Sequence, residues 1–539
     1  MKIIARSRRQ SASSQVGNIL CLSIDRLNSD MLGAYGGVSG IETPALDMLA
    51  AESIVFDSFY ATSLNLDALC RAFWRGESPA NFKVVDEPND VASIFRVMKQ
   101  RGFRTFLISD VESVALCPCI DSDDCDDRLL LDGNHANEPV ETLEETGFFK
   151  NFEELTRFLA KLNDNSRLES NSPWFVWAHF SGWNERWDFP MTLREQYRET
   201  FLDDNGDVDE KQSDPASYAA TVPPYWRRPS LTTRGARNRR DESSEQRKRI
   251  DDHVEPALAS LALNEREYAR LSALDEVERR QSVLQAYAGG LSAFDETLGG
   301  FIAFLKESGL LKNTLLALSG VRGFAFGEPS GLGIPRKGDE TSAFYTEETR
   351  VPLMIRLPNG IGATVRLPTL CEPRDLFATL CDWPDFASTL ADPDFWRVEK
   401  IEISPLAGVW SADDEGADSN AGVQKNAGAN LYDLEPYREL DPDAPGQNLL
   451  PFLVNEEGSA RNAIRIVAVD ADSPERALVV DKWFIKRTPI DAEAIVYETD
   501  PTERLELFVL PDDRYCVNDV ADRCADVVET LSQALDAQK

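Results

Sequence analysis

The residues of this 539-residue chain with most capacity for chemistry are three histidines, nine cysteines and a large excess of carboxylates. The histidines, His135, His179 and His253, are too few and too scattered to suggest a histidine-built metal centre or a Ser-His-Asp relay. Cys117, Cys119 and Cys125 crowd into an acidic stretch, CPCIDSDDC. Three thiolates could begin a zinc site, but no fourth ligand lies nearby in the sequence. The cysteine count is odd and the density low, which reads as reduced thiols in a cytosolic protein. Asp25 ends a short aliphatic run, NILCLSID, and so stands at the C-terminal tip of a predicted buried strand. In parallel sheets ligands collect at such tips.

Lys and Arg total 57 against 92 Asp and Glu, a net charge of −35 and a pI near 4.5. That field repels phosphate, so neither a nucleic-acid partner nor an anionic membrane is expected. The N-terminus, MKIIARSRRQSASSQVGN, is basic but lacks the apolar core of a secretory signal, and no run of 18 apolar residues occurs. A cytoplasmic protein is expected. A hydrophobic fraction of 42% with 10 Trp and 27 Phe is enough for a large core.

The elements that must position any site alternate. Residues 18–25, 54–61, 103–109, 173–181, 313–320 and 351–358 read as strands. Helices are predicted after Thr43, with Thr43 as N-cap and Pro44 at N1, at 90–101 and at 280–308. The order gives an α/β class with a mostly parallel central sheet. After residue 460 the pattern changes to NAIRIVAVD, RALVVDKWFIKR, EAIVYE and RLELFVL, then a helix. That pattern predicts a small α+β subdomain with an antiparallel sheet. The division expected is a flexible arm at 1–17, an α/β domain at 18–400, a linker or loop region at 401–459 and the subdomain at 460–539. Residues 203–250 interrupt the large domain with a charged insertion. Between Arg227 and Arg249 it has nine basic residues against three acidic, a possible lip for an anionic ligand or an acidic partner, or else a solvated surface segment.

Six segments in order resemble the sulfatase family of the alkaline-phosphatase-like superfamily. NILCLSIDRLNSDMLGAYGG with TPALDMLAAESIVFDSFYATS resembles its opening strand, turn and helix. RGFRTFLIS, PWFVWAHFSGWNERWDFP, YAGGLSAFDETLGGFIAFLKESGLLKNTLLALSG and YTEETRVPLMIRLP follow. The last of these resembles the family's YEEGIRVPLIIRWP. NLLPFL, LVVDKWFIK and LELFVLPDDRYCVND resemble its C-terminal subdomain. The resemblance implies a three-layer α/β/α sandwich with a small C-terminal sheet. It also implies a formylglycine nucleophile made from Cys in C-x-P-S-R, a divalent cation held by acidic ligands, and Lys and His groups around the sulfate.

The implied site residues are largely replaced. Counting back from Gly76, the nucleophile position is Leu66, and Cys70 falls where the motif has arginine. A leucine cannot attack an ester. The metal-ligand pair after the first strand is Asp25-Arg26, and the second pair is Val321-Arg322, so Asp25 alone is retained. Calcium takes six to eight oxygens, and like charges about 4 Å apart repel by about 4 kcal/mol at an effective dielectric of 20. No metal is therefore expected. Sulfate-binding positions are Asp110 and Glu112 for Lys and His, Asn184 for His and Thr341 for Lys. This reads as a catalytically inactive member that keeps the fold for binding or regulation, with Arg26, Asp67, Asp110, Glu112 and Arg322 as the residues available to bind. One alternative is a divergent sulfuric or phosphoric ester hydrolase. It would use Ser63, Asp67 or Cys70 as nucleophile, or calcium held by Asp25, Asp67, Asp110 and Glu112. The other is an interaction scaffold acting through residues 227–249. Asp25, Leu66, Asp110, Asn184, Val321 and Thr341 are expected to converge, with at least one of the two arginines paired to a nearby acid.

Overall fold

A computed structural model describes residues 17–390 and 437–536 except 39, 82–91, 133–134, 137, 169–171, 185–186, 198–199, 201–275, 328–330, 334–343, 438–439, 442–443, 455–460, 470–474 and 490–502. The basic segment 227–249, residues 1–16 of the N-terminal arm and Thr341 lie outside the described residues.

Eight strands form the main sheet. They are β1 (Asn18–Ile24), β2 (Ile54–Phe59), β3 (Arg104–Ser109), β4 (Asp127–Leu130), β5 (Trp174–Phe180), β6 (Thr314–Gly320), β9 (Leu353–Arg356) and β10 (Arg366–Cys371). Between β6 and β9 the chain forms a two-stranded ribbon of β7 (Ala325–Gly327) and β8 (Gly331–Gly333). The sheet order is β10-β2-β9-β6-β1-β5-β3-β4. β9 runs antiparallel to β2 and β6, and the other pairs are parallel.

Strand β1 shows why the predicted strands read as unbroken apolar runs. Leu20, Leu22 and Ile24 pack into one core with α1 (Pro44–Ala51), α5 (Gly147–Leu168) and α7 (Glu276–Glu307), while Ile19 and Cys21 face the other core with α2 (Leu66–Arg75), α3 (Ile94–Gln100) and α9 (Pro373–Leu390). Alternate residues point to opposite faces, and both faces are covered by helices, so the run Ile19–Leu22 is unbroken and apolar, with Ser23 a buried polar exception before Ile24. The result is the expected α/β/α sandwich. Shorter helices α4 (Glu112–Ala115), α6 (Met191–Glu195) and α8 (Thr346–Thr349) sit in the connections.

Thr43 stands at the N-cap of α1 with Pro44 at N1, as expected, but its side chain makes no cap. The helix's first free N–H groups go instead to Asp295 of α7, from Ala45 at 3.0 Å and Leu46 at 2.8 Å. A carboxylate 250 residues away satisfies the donors that a local hydroxyl was expected to take. RALVVDKWFIKR is not one strand. It folds at Asp481–Lys482 into β12 (Arg476–Val480) and β13 (Trp483–Pro489).

With β11 (Ala463–Val467) and β14 (Glu503–Val509) these make an antiparallel sheet, β11-β12-β13-β14. Trp483 pairs with Val509 and Phe484 with Phe508. One face packs on Tyr60, Leu64, Phe344, Tyr345 and Leu370 of the large domain, the other on α10 (Ala525–Asp536). EAIVYE lies outside the described residues. Within the expected linker, Leu449 and Leu450 are buried against α9, so this part is packed structure. Among the described residues no helix is long and apolar enough to cross a membrane.

Candidate functional site

Five of the six expected residues meet at the C-terminal ends of β1, β3, β5 and β6. Asp25 follows β1, and its N–H donates to Phe180 O of β5 at 3.0 Å. The Val321 N–H reaches Ile24 O at 3.0 Å from the end of β6. Asp110, after β3, accepts the Ser181 N–H at 2.8 Å, and the Asn184 N–H donates to Ser181 O at 2.9 Å. Arg322 donates Nη1–H to Leu64 O at 2.6 Å, two residues before Leu66 opens α2. Gly182 makes the crossing possible: its φ is +58°, and a Cβ there would lie 1.9 Å from Asp25 O.

The centre is an ion pair. Arg322 Nε donates to Asp25 Oδ1 at 3.0 Å and Nη2 to Oδ2 at 2.5 Å, a two-pronged contact with both partners buried. Burial pushes the Asp25 carboxyl up, but Arg322, then Arg26 and His179, hold it below the usual range. Arg26 is also buried. Its φ of +61° bends the chain so that its N–H donates to Asp25 Oδ1 at 3.0 Å, while its Nη1 donates to Gly323 O at 3.2 Å. Tyr287 of α7 pins this turn, donating to Arg26 O and accepting from Asn28 N, both at 2.8 Å. Burial, and then Arg322, lower Arg26 to about 10.

Facing the arginines is Glu348 of α8, fully buried, with neither carboxylate oxygen hydrogen-bonded. Burial lifts it to about 7, against the pull of Arg26, Lys486 and Arg322. Lys486 of β13 carries the charge network into the C-terminal sheet. Its Nζ is 3.3 Å from Glu475, 4.0 Å from Glu506 and 4.1 Å from the centre of the Tyr345 ring. Tyr345 donates to Glu506 at 3.0 Å.

A second cluster surrounds Asp110. Its carboxylate accepts from Ser181 Oγ at 2.7 Å and Asn151 Nδ2 at 2.8 Å. His135 sits between Asp110 at 3.7 Å and Asp188 at 3.8 Å. Burial lowers the imidazole, but the two carboxylates outweigh this and raise it to about 9. Ser181 Oγ lies 3.4 Å from His135 Nε2. The parts resemble a nucleophile relay, yet an imidazolium locked between two acids has no lone pair with which to act as a base.

The remaining candidates do not join the cluster. Asp67 and Glu112 are exposed, at the starts of α2 and α4. The Ser63 hydroxyl is buried and accepts Asn65 N–H at 3.2 Å. Cys70 is buried in the core under α2, and burial pushes its thiol up. Cys117, Cys119 and Cys125 are buried in the same core, and all nine cysteines are free thiols. Sequence reasoning missed Glu348, Lys486, Ser181, His135 and Asp188 as partners. Glu348 had a visible signal, because YTEETRVPL has glutamate where YEEGIRVPL has glycine.

Calcium does not fit this arrangement. Both Asp25 oxygens are taken by a guanidinium, and a second guanidinium lies beside them. Among the described residues no three His, Cys, Asp or Glu side chains converge as they would around a metal ion. The Asp25, Asp67, Asp110 and Glu112 ligand set is therefore not formed.

Residues 17–386 match the model of the sulfatase family. A comparison with curated proteins finds no match. Among solved structures the chain is similar to a protein solved with its substrate D-glucosamine-2-N,6-O-disulfate, at 16% identity and a TM-score of 0.59, covering 97% of each chain. It is similar to the phosphonate monoester hydrolase of Agrobacterium radiobacter at 15% identity and a TM-score of 0.57, covering 96% of this chain and 94% of that one. It is also similar to a 2-O GAG sulfatase at 14% identity and a TM-score of 0.56, covering 97% and 91%. At these identities the likeness is one of fold.

Proposed function

We propose, since this chain belongs to the sulfatase family, that it is a non-catalytic member whose old reaction centre has become a structural ion pair. The observation that carries this is the two-pronged contact of Arg322 with Asp25. It spends the one retained acidic position on a protein cation, where the family chemistry needs a metal. Leu66 offers no nucleophile at the start of α2. Asp110, where the family has a sulfate-binding lysine, carries the wrong sign for an anionic substrate. The fold would then serve binding or regulation in the cytoplasm, without metal or cofactor. The test is turnover of 4-nitrophenyl sulfate, 4-nitrophenyl phosphate and a phenyl phosphonate ester, with and without added calcium or manganese. No rate above the uncatalysed reaction is expected. Turnover that survives purification to constant specific activity would overturn the proposal.

A divergent ester hydrolase is the second reading, and the Ser181–Asp110 contact at 2.7 Å is what favours it. There Asp110 would take the proton as Ser181 attacks. Ser181 is buried, and its acceptor is held by Asn151 and by the His135 charge. In that case Ser181→Ala would abolish turnover while leaving the fold unchanged.

A further inference from the structure

Strand β4 ends the main sheet and, among the described residues, no strand pairs with its outer side. Its register on β3 is parallel, with Ser109 opposite Leu130, and Leu131 N–H donates to Ser109 O at 2.8 Å. In a parallel ladder the bonded residues alternate, so Leu129 and Leu131 turn their backbone groups to β3 and Leu130 presents its N–H and C=O outward. The Arg128 N–H is already taken by Asp127 Oδ1 at 2.9 Å, which leaves its C=O to the edge. Two large apolar side chains of the strand reach solvent: Leu129 is 36% exposed and Leu130 is 44% exposed, on opposite faces. Helix α4, packed on β4, ends at Leu116, which is 60% exposed. Three of the exposed large apolar residues thus gather at one edge.

Charge selects the occupant. Asp121, Asp123, Asp124, Asp126, Asp127 and Asp132 flank the strand. Arg96 is shared between Asp121 and Asp124, and Lys99 pairs with Asp126. Arg128 is folded back onto the carbonyls of Cys117, Ile120 and Asp121, so it gives its hydrogen bonds to the loop. The edge keeps an acidic surplus at Asp123, Asp127 and Asp132. Pairing β4 with a second copy would bring two such patches together, and like charges facing across a sheet destabilise it. We propose that the free edge of β4 is a docking site for an extended, basic segment of a partner protein. That segment would add a strand beside Arg128 and Leu130, cover Leu129 and Leu130 with apolar side chains, and place Lys or Arg against Asp127 and Asp132. This goes beyond the reading of the ion pair and does not depend on it.

The probe is a fluorescent octapeptide of alternating Lys and Val, with alternating Glu and Val as its control. Saturable binding of the Lys peptide alone is expected, with slowed hydrogen exchange at the Leu130 amide. Leu130→Pro removes only an outward N–H, a change that edge strands tolerate, and Asp127→Lys reverses the edge charge. Each should weaken binding roughly tenfold. Asp127→Lys keeps the test open if the proline variant fails to fold. Absence of binding, binding by both variants as tight as by the wild type, or protection that falls elsewhere on the protein would overturn the proposal. So would concentration-dependent dimerisation that Leu130→Pro abolishes, because the edge would then pair with its own copy.

Discussion

Arg322 gives Asp25 the positive partner that a buried carboxylate requires, and does so with fixed geometry. A metal ion can leave; a guanidinium on the same chain cannot. Removing one side of such a pair strands the other in a medium that solvates it poorly. Arg322→Ala should therefore lower unfolding stability by about 3–5 kcal/mol in urea titration. Replacing both partners, Asp25→Asn with Arg322→Met, should recover a good part of that loss, since no buried charge is then left alone. A double variant as unstable as the single one would show that the pair is not the source of the effect. Glu348 adds a pH term of its own. Its folded value near 7 lies above the usual glutamate range, so the folded state holds a proton that the unfolded chain releases. Its contribution improves as pH falls from about 7 towards the unfolded value, and Glu348→Gln should remove that part of the dependence.

His135 ties the segment before α5 to the tips of β3 and β5. Its imidazole is raised to about 9, so the stability it supplies is complete below its unfolded value near 6.5 and is lost as pH rises through 9. His135→Gln should flatten the fall in melting temperature across that alkaline window, and an unchanged slope would contradict the assignment. At this scale much was legible in the sequence. The strands of the main sheet announced themselves as aliphatic runs because helices cover both faces. The turn between β12 and β13 did not, because Asp481–Lys482 carries no Gly, Pro or Asn to punctuate it. The α1 N-cap position at Thr43 was legible, but the acceptor of the helix's first N–H groups was not. Local spacing points to Thr43, whereas Asp295 arrives only when α7 packs against α1. The site divides in the same way. Asp25, Leu66 and Arg322 could be placed from ordered motifs, while Ser181, His135 and Lys486 enter the cluster through contacts that no short motif encodes.

The C-terminal sheet and the large domain share buried charge across their contact. Lys486 reaches Glu348 electrostatically, and Arg461, just before β11, donates to Asp375 of α9 at 2.6 Å while lying 3.0 Å from Glu372. All of these groups are buried. Arg461→Ala should leave Asp375 without its cation, while Arg374 still holds Glu372, and cost about 3–5 kcal/mol by urea unfolding, far more than an exposed arginine would. The molecule has thus kept the sulfatase frame and filled its centre with protein charge. Calcium titration of the wild-type protein by calorimetry, beside Asp25→Ala, tests this most directly. The account predicts no saturable heat from either protein. One equivalent of calcium bound by the wild type and lost in Asp25→Ala would show that the metal site survives and would contradict it.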